Sequence, residues 1–240
     1  MTETPIERDE WLAKIMNTNC FIYKCNSIFE YLESKKTESY TGPYFCTIKA
    51  KKGSGIDLKS DTTSVLLICK MMTYSWSTFA TIPKQLNRNI SHYEFPDRSD
   101  ILKIAKNSFS LDRFHSDPRI SKGLANKIKS RWISENLSGK RNSVTLVYRN
   151  SKDLKVLAFS SLLINNDSIV IDLIAVSSNF RGKGIGSELV KASQSIASKR
   201  NLPLRVGTQE ENHANELYRN NGFKLIDETF VYHDTNQVFK

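Results

Sequence analysis

Residues 179–200, NFRGKGIGSELVKASQSIASKR, place three glycines and two cations at the start of a stretch with helical periodicity. Its apolar residues Ile185, Leu189, Ala192 and Ile196 fall on one face, so the helix can pack on a sheet. Glycine lets a ligand approach the backbone closely, and the first amide groups of a helix lack intrahelical partners. Together with the positive end of the helix dipole, these donors predict an anion site suited to a diphosphate.

The rest of the chain supplies strands against which this helix can pack. From about residue 96 onwards, strands alternate with helices, and this alternation predicts an α/β or mixed (α+β) sheet. We predict helices over 100–109 and 121–137 and another that ends near Tyr218. The predicted strands are SVTLVYR, LAFSSLLIN, SIVIDLIAV, LPLRVGTQ, FKLID and TFVYH.

The N-terminal part of the chain has weaker patterns. We predict a helix over 7–16 and two β-rich segments, YFCTIKA and TTSVLLICKMMTYSW. The turn-forming stretch NISHYEFPDRSD separates this part from the region that follows it. We therefore expect an N-terminal lobe over 1–95 and a second domain over 96–240.

Charge and composition limit the classes of binding partner but do not identify one. The 240-residue chain is 39% hydrophobic and carries a formal net charge of +10, which attracts polyanions such as nucleic acid, anionic membranes or phosphorylated small molecules. The N-terminus lacks the pattern of a signal peptide, and no apolar run is long enough to span a bilayer, so we expect a cytoplasmic protein. The four cysteines form no C-x-x-C pair, which indicates buried free thiols rather than a metal site or disulfides.

Three known phosphate-binding patterns compete for the glycine-rich stretch. A nucleotide P-loop needs Ser or Thr after its Gly-Lys pair, whereas Gly184 follows Lys183. A dinucleotide fingerprint needs its third glycine one position later and an acidic residue after the next strand. The third pattern, R-x-x-G-x-G, is met by Arg181, Gly184 and Gly186. Here the sequence resembles the GNAT acetyltransferase superfamily.

Two flanking segments extend this resemblance over about 168–227. IDLIAVSSNF is similar to the central strand of the family, and ANELYRNNGF is similar to its A-x-x-L-Y-x-x-x-G-F segment. The resemblance implies the GNAT fold, a mixed and mostly antiparallel sheet with flanking helices, split where SIVIDLIAV and LPLRVGTQ diverge. It also implies acetyl-CoA as cofactor, bound by Leu173, Ile174, Ala175, Val176, Arg181, Gly182, Lys183, Gly184, Ile185, Gly186, Ser187, Asn212 and Tyr218. Asn212 lies one position after the place of the family's asparagine, where this chain has Glu211.

A narrower resemblance concerns the acceptor. The segments RVGTQ and RFHSDPRI, with a following helix that contains RWISENL, are similar to nucleotide-sugar N-acetyltransferases of the dTDP-fucosamine type. This implies transfer of acetyl to the amine of a dTDP-linked amino-dideoxysugar for surface polysaccharide biosynthesis, and an acceptor-side lobe over 1–95. The expected partner is this small-molecule substrate rather than nucleic acid or a membrane, and the expected assembly is a homo-oligomer, a dimer. The implied acceptor-site residues are Arg113, Phe114, His115, Asp117 and Gln209.

Acetyl transfer to an amine needs a base for the amine and an acid for the departing thiolate. Tyr218 is the expected acid, because a phenol stays protonated at neutral pH; its alternative role is core packing. Asp172, His115 and His233 are the candidate bases. Each also has an ordinary structural alternative, such as pairing of Asp172 with a cation, and water can carry the proton instead.

Two other functions remain open at this point. A GNAT enzyme acting on a protein or peptide amine or on a polyamine is the first, although polyamines favour acidic pockets and this chain is basic. A non-catalytic basic binding module is the second, and it leaves the glycine-rich stretch and the Tyr218 segment without a role.

Overall fold

The computed structural model describes residues 6–37, 42–53, 64–77, 87–109, 111–236 and 238. The α-helices within them are α1 (Glu10–Met16), α2 (Ile28–Thr37), α3 (Arg98–Lys106), α4 (Lys122–Leu137), α5 (Ile185–Lys199) and α6 (Ala214–Asn220). The β-strands are β1 (Ile6–Arg8), β2 (Asn19–Ser27), β3 (Tyr44–Lys52), β4 (Val65–Trp76), β5 (Ile90–His92), β6 (Ser143–Arg149), β7 (Val156–Ile164), β8 (Ile169–Val176), β9 (Leu204–Gln209) and β10 (Lys224–Asn236). Short 3-10 helices cover Phe95–Asp97 and Ser178–Phe180.

The chain divides into two compact units. The first consists of Met1–Met71, Leu111–Ile128 and Glu228–Lys240, and the second of Met72–Ser110 and Lys129–Asp227. The boundaries of these units fall inside β4, α4 and β10. The assignment of 1–95 to an acceptor-side lobe and 96–240 to a second domain stays a prediction.

The strands of the first unit follow the order β1-β2-β3-β10-β4. Strand β1 is antiparallel to β2, β2 is parallel to β3, and β3 is antiparallel to β10. Because parallel neighbours need a crossover, α2 connects β2 to β3 and contacts both. The buried apolar core of this unit consists of Tyr23, Ile28, Tyr31, Tyr44, Cys46, Ile48, Ala50, Val65 and Tyr232.

The strands of the second unit follow the order β4-β9-β8-β7-β6-β5. The pairs β5–β6, β6–β7 and β7–β8 are antiparallel, whereas β8 and β9 are parallel. This arrangement confirms the predicted mixed and mostly antiparallel sheet. Ala158 and Phe159, neighbours on β7, belong to different core clusters, because successive side chains of a strand point to opposite faces. One cluster packs against α5 and α6, and the other against α3 and α4.

Several predicted elements differ from the structure at their ends. The N-terminal helix begins at Glu10 rather than residue 7, because the Asp9 carboxylate caps it by accepting from the Leu12 amide at 2.9 Å. The predicted strands FKLID and TFVYH form one continuous strand, β10, of which the part from Phe230 onwards pairs with β3. The strand predicted over TTSVLLICKMMTYSW is β4, and Thr62 and Thr63 lie outside the described residues.

The cysteines are free thiols, as expected from their spacing. Cys20, Cys46 and Cys69 are buried, and Cys25 is half-buried. Burial raises the pKa of the Cys20 and Cys46 thiols to about 12, so both stay protonated near neutral pH. In the part of the chain that the structure describes, no helix combines the length and apolar character needed to cross a membrane.

Candidate functional site

The glycine-rich stretch forms a loop that leads from β8 into α5. Gly182 and Gly184 have φ angles of 74° and 77°, and Gly184 is the N-cap of the helix. A Cβ atom at either position would meet no atom within 4 Å. Glycine is therefore required here by backbone conformation, since left-handed φ costs other residues about 1–2 kcal/mol, and the space beside the loop stays open.

The start of α5 leaves backbone donors without partners. The first amide to bond back along the helix is that of Glu188, which donates to the Gly184 carbonyl at 3.1 Å. The amides of Ile185, Gly186 and Ser187 have no hydrogen-bond partner among the described residues. These three N–H groups and the helix dipole fit an anionic group of a ligand.

The two cations of the loop have different roles. Arg181 donates from Nε to the Val176 carbonyl at 3.1 Å and from a terminal nitrogen to the Ser108 hydroxyl at 3.2 Å. It thus fastens the loop to the end of β8 and to the segment after α3. Lys183 is exposed, with Nζ 5.0 Å from the centre of the Phe180 ring, and adds positive charge at the surface.

Strands β8 and β9 separate after a short paired region. Ile169–Ile171 pairs in parallel with Leu204–Val206, and no pairing between the two strands continues beyond these described residues. The predicted cofactor-binding residues of β8 lie past this point and pair with β7 on their other side; they are Leu173, Ile174, Ala175 and Val176. The β8 edge that faces β9 is therefore available for hydrogen bonds to an extended ligand.

A β-bulge in β8 redirects its side chains. Ser161 and Leu162 of β7 are adjacent, yet they pair with Leu173 and Ile171, so Asp172 is an extra residue. As a result Ile171 packs in the core cluster beside α5, whereas Leu173 packs in the cluster beside α3 and α4.

Asp172, a candidate base, is held by three donors. Its Oδ2 accepts from Trp132 Nε1 at 2.6 Å, Asn136 Nδ2 at 2.6 Å and Arg141 at 3.0 Å. Only 8% of the Asp172 side chain is exposed, and its carboxylate forms an ion pair with Arg141. Asp172 thus fastens α4 and the turn after it to the bulge of β8. This pairing is the structural alternative expected for it from the sequence.

Tyr218 lies on α6 with its ring in the core. Its side chain packs near the rings of Tyr74 and Phe223, with centroids 6.1 and 5.7 Å away. Burial raises the pKa of its hydroxyl above the usual value of 10. That hydroxyl has no hydrogen-bond partner among the described residues, so its proton is available to a ligand.

The loop between β9 and α6 is held by an asparagine that the sequence patterns did not single out. Asn215 Nδ2 donates to the carbonyls of Gln209, Glu210 and Asn212, and its Oδ1 accepts from the Tyr74 hydroxyl at 2.9 Å. Asn212, predicted to bind the cofactor, uses Oδ1 to accept from the Ala214 amide at 2.9 Å at the start of α6. The contact of Asn215 with Tyr74 joins residues 141 positions apart, so the sequence around Asn215 gives no sign of it.

Gln209 ends β9, beyond the region paired with β8. Its side chain is buried, and Nε2 has no hydrogen-bond partner. The second unit thus brings together, in consecutive segments, the glycine loop, the bulged strand and the β9–α6 residues. The other predicted residues, Arg113, Phe114, His115, Asp117 and His233, belong to the first unit.

His115 is engaged locally at both ring nitrogens. Nδ1 lies 2.7 Å from Asp112 Oδ2, and Nε2 lies 3.1 Å from Asn126 Oδ1. Its imidazole therefore ties the segment 111–120 to α4. The contacts give His115 a structural role in the first unit, and its predicted role as a base is untested.

His233, in contrast, has one free ring nitrogen. Nδ1 lies 2.9 Å from Asp117 Oδ2, and Nε2 is buried with no partner in the described part of the chain. Arg119, which the sequence patterns did not single out, donates to both Asp117 oxygens at 2.9 and 2.8 Å. Burial alone would raise the pKa of Asp117, but hydrogen bonds from His233 and Arg119 outweigh it and hold that pKa well below its usual range.

The charge state of His233 follows from its surroundings. Burial, helped by the charges of Arg113 and Arg119, outweighs the Asp117 carboxylate and lowers the pKa of His233 to about 4. The imidazole is therefore neutral near pH 7, and its Nδ1 carries the proton because a carboxylate can only accept there. Asp117 and Arg119 hold the ring in this tautomer.

Comparison with known proteins covers the region of the glycine loop. Residues 141–225 match the family model of an acetyltransferase (GNAT) domain. Over 139 residues the chain is 30% identical to the spore coat polysaccharide biosynthesis protein SpsD of Bacillus subtilis (strain 168). The match covers 57% of this chain and 47% of that protein, so the chain spans about half the length of this curated relative.

Solved structures share the fold over most of the chain. A functionally unknown conserved protein from Staphylococcus epidermidis ATCC 12228 has a TM-score of 0.66 at 16% identity, with 91% of this chain and 85% of that chain covered. A GNAT-family acetyltransferase, described as putative, from Novosphingobium aromaticivorans DSM 12444 has a TM-score of 0.56 at 11% identity, with 85% and 81% covered.

These findings confirm the fold expected from the sequence, and residues 141–225 are similar to the expected family. GNAT acetyltransferases take their acetyl group from acetyl-CoA, which agrees with the open amides of α5 and the separated strands. The matched region contains the glycine loop, the bulge of β8, β9 and Tyr218. Residues 141–225 of this chain thus match an acetyltransferase (GNAT) domain in sequence, and the observed fold agrees with that match.

Proposed function

We propose that the chain is an acetyl-CoA-dependent N-acetyltransferase that modifies the amine of a dTDP-linked amino-dideoxysugar for surface polysaccharide biosynthesis. The observation that carries the transferase part is the start of α5, where three unpartnered amides follow Gly184 in an open loop. The acceptor part is supported by the resemblance of RFHSDPRI and RVGTQ to nucleotide-sugar enzymes. The similarity to a polysaccharide biosynthesis protein of Bacillus subtilis supports it independently.

The cofactor site combines backbone and side-chain donors of the second unit. The amides of Ile185, Gly186 and Ser187 fit a diphosphate, with Lys183 as a nearby charge. The open edge of β8 from Leu173 to Val176 fits an extended amide chain. When bound, acetyl-CoA supplies the acetyl group as a thioester. Asn212 is less suited to bind it, because its Oδ1 already accepts from the Ala214 amide.

Tyr218 is the proposed acid. Its hydroxyl keeps its proton near neutral pH because burial raises its pKa, and no described residue competes for that proton. Asp172 is proposed as a positioning residue rather than a base, since its Oδ2 already accepts from three donors. His233 is the better candidate for accepting a proton, because it is neutral and its Nε2 is free.

A thiol-release assay with three acceptor classes tests this proposal. The panel contains dTDP-linked amino sugars, polyamines and peptides, each with acetyl-CoA at saturation. We expect at least one dTDP-linked amino sugar to exceed the other classes by about 100-fold or more in kcat/KM, as for a site that hydrogen-bonds its substrate. A polyamine or peptide as the best acceptor would contradict the acceptor class, and acetyl-CoA binding without thiol release would indicate a binding module.

The location and assembly of the protein are further parts of the proposal. We place it in the cytoplasm, where nucleotide-linked sugars are made available, and buried free cysteines suit a reducing compartment. We propose a homodimer as the assembly. Sedimentation equilibrium at micromolar concentration measures the assembly directly, and a mass of one chain, 27.4 kDa, would contradict the dimer.

A further inference from the structure

The first unit contains buried polar atoms that have no hydrogen-bond partner among the residues that the structure describes. They include Thr47 Oγ1, Arg113 Nε and His233 Nε2. Thr47 and His233 are both completely buried. More than nine in ten buried polar groups in native proteins are hydrogen-bonded, because a buried polar group without a partner destabilises the fold. Several such atoms in one unit therefore require an explanation.

Two of these atoms, Thr47 Oγ1 and His233 Nε2, lie on the same face of the sheet. Thr47 on β3 and His233 on β10 are direct partners across an antiparallel pair, so their side chains point the same way. The Phe45 ring, also on this face of β3, lies 4.7 Å from the His233 ring, and the Phe114 ring stacks on His233 at 6.1 Å. The Arg113 guanidinium lies 4.4 Å from the centre of the Phe114 ring. The Phe114 ring in the segment 111–120 thus contacts both the Arg113 guanidinium and the His233 ring.

The three atoms offer different hydrogen-bonding functions. Arg113 Nε only donates, and the Thr47 hydroxyl donates or accepts. His233 Nε2 only accepts, because its ring carries the proton on Nδ1 next to Asp117. A group that satisfies all of them must accept from Arg113 and donate to His233. Hydroxyl and neutral amine groups do both.

Other ligand chemistries fit this set less well. A phosphate or carboxylate oxygen would satisfy Arg113 and Thr47 but would leave the lone pair of His233 Nε2 without a donor. An ammonium group would satisfy His233, but it only donates and would leave Arg113 Nε without an acceptor, besides being repelled by the Arg113 charge. The rings of Phe45 and Phe114 supply apolar surface for the ring carbons of a ligand.

We propose that Thr47, Arg113 and His233 form a subsite of the first unit that binds a hydroxyl or neutral amine group on the sugar of the acceptor. The proposal rests on the proposed function, because it assigns the sugar part of a nucleotide-linked acceptor to these residues. Asp117 and Arg119 act through His233 as positioning residues. They fix the tautomer in which Nε2 faces the ligand as an acceptor.

Calorimetry with two probes tests the subsite. The probes are a dTDP-linked 4-amino-4,6-dideoxyhexose and dTDP alone, measured with the full chain. Thr47→Val removes one hydroxyl without changing the volume of the side chain, and His233→Gln removes the imidazole acceptor. We expect each variant to lose about tenfold in affinity for the sugar nucleotide and to keep its affinity for dTDP. Thr145→Val is the control, since Thr145 is buried in the second unit against Ser161, and it should change neither affinity.

Each contrary result has a separate meaning. If wild type binds and acetylates the sugar nucleotide but Thr47→Val and His233→Gln bind it normally, the cluster holds water or nothing and the subsite is refuted. If both variants lose as much affinity for dTDP as for the sugar nucleotide, the cluster binds the diphosphate, and this result also overturns the proposal. If wild type transfers acetyl only to polyamines or peptides, the proposed function itself fails and the subsite fails with it.

Nitrogen NMR of the His233 ring provides a second measurement. It reports contact between the ligand and the ring rather than the stability of the fold. In protein labelled at the imidazole nitrogens, the Nε2 signal of His233 should shift on addition of the sugar nucleotide and stay in place with dTDP. Asp117→Asn should change the populations of the two tautomers of the His233 ring. It should also lower the affinity for the sugar nucleotide more than the affinity for dTDP. An Nε2 signal that ignores both probes would overturn the subsite.

Discussion

Single residues in this chain combine burial with unused hydrogen-bonding capacity, and this combination separates the proposed functional groups from structural ones. Tyr31 and Tyr218 are both buried tyrosines, but the Tyr31 hydroxyl donates to Asp234 at 2.6 Å, whereas Tyr218 has no partner among the described residues. We therefore expect removal of the Tyr31 hydroxyl to lower stability and removal of the Tyr218 hydroxyl to lower the turnover number.

Tyr218→Phe keeps the ring that packs against Tyr74 and Phe223 and removes only the proton donor. We expect the turnover number to fall by about 10²–10⁴-fold with nearly unchanged acetyl-CoA affinity, because the lost interaction matters most in the transition state. Thermal unfolding should shift little. Steady-state kinetics and melting measure both, with Tyr31→Phe as the matched variant that loses stability instead, since Asp234 would lose a donor. Turnover of Tyr218→Phe near that of wild type would leave Tyr218 a packing residue.

His233 makes stability depend on pH in a defined direction. Its pKa is about 4 in the folded chain against 6.5 for the free group, so the unfolded chain binds a proton first as pH falls. Stability from this residue is complete above pH 6.5 and is lost between about 6.5 and 4, by on the order of 3 kcal/mol. His233→Gln should flatten the unfolding free energy in that window. Asp117, Arg113 and Arg119 face the ring and remain in the variant.

Urea unfolding at a series of pH values between 7.5 and 4 measures this effect. Parallel curves for wild type and His233→Gln would show that the imidazole does not titrate in this range. Because the pKa of Asp117 is also lowered, both proteins should lose further stability below about pH 4. This shared loss distinguishes the contribution of Asp117 from that of His233.

Among the elements, α5 and its loop are the part that the sequence describes best. Glycines, the first turn and the apolar face of α5 are all local in the chain, so spacing alone predicts them. Helix α2 is not predicted, because only Ile28 and Tyr31 within it are buried and its other residues give little periodicity. Strand β2 is missed for a similar reason, since its charged and polar residues alternate irregularly with its apolar ones.

Contacts between distant parts of the chain are also beyond the sequence patterns. Asp117 and His233 are 116 positions apart, and Asp172 meets Trp132 across 40. Nothing local to either residue shows that the first pair leaves Nε2 free or that the second satisfies a carboxylate. Sequence alone thus identifies the candidate bases, and only the structure separates a paired carboxylate from an oriented imidazole.

A glycine substitution tests the loop as an element. Gly184→Val forces a β-branched residue to φ 77° and fills the open space beside the amides of α5. Gly139→Val is a matched control, because Gly139 has φ 72° and open space too but lies after α4. Both variants should lose about 1–2 kcal/mol of stability from backbone strain, whereas only Gly184→Val should weaken acetyl-CoA binding. Equal affinities in calorimetry on the two folded variants would contradict a cofactor site at this loop.

At the scale of the whole molecule, the two units carry separate sets of functional groups. The second unit holds the GNAT domain match, the open start of α5 and Tyr218, and the first holds the oriented imidazole and its arginines. Both sets lie in a chain of net charge +10. That charge favours encounter with anionic substrates over cationic ones, which separates nucleotide-linked amines from polyamines on electrostatic grounds.

Added salt should therefore slow the binding of the acceptor and leave the later steps of the reaction unchanged. Between 0.05 and 0.5 M NaCl, kcat/KM for a dTDP-linked amino sugar should fall several-fold, because screening weakens attraction between the basic protein and the diphosphate. The turnover number at saturating substrate should stay constant, since the charges are then already in contact. The same amino sugar without its nucleotide is the control, and its poor kcat/KM should not depend on salt. A spermidine-like acceptor should show the opposite trend, rising with salt as repulsion is screened. If the nucleotide-linked sugar shows no salt dependence, the net charge plays no part in selecting the acceptor.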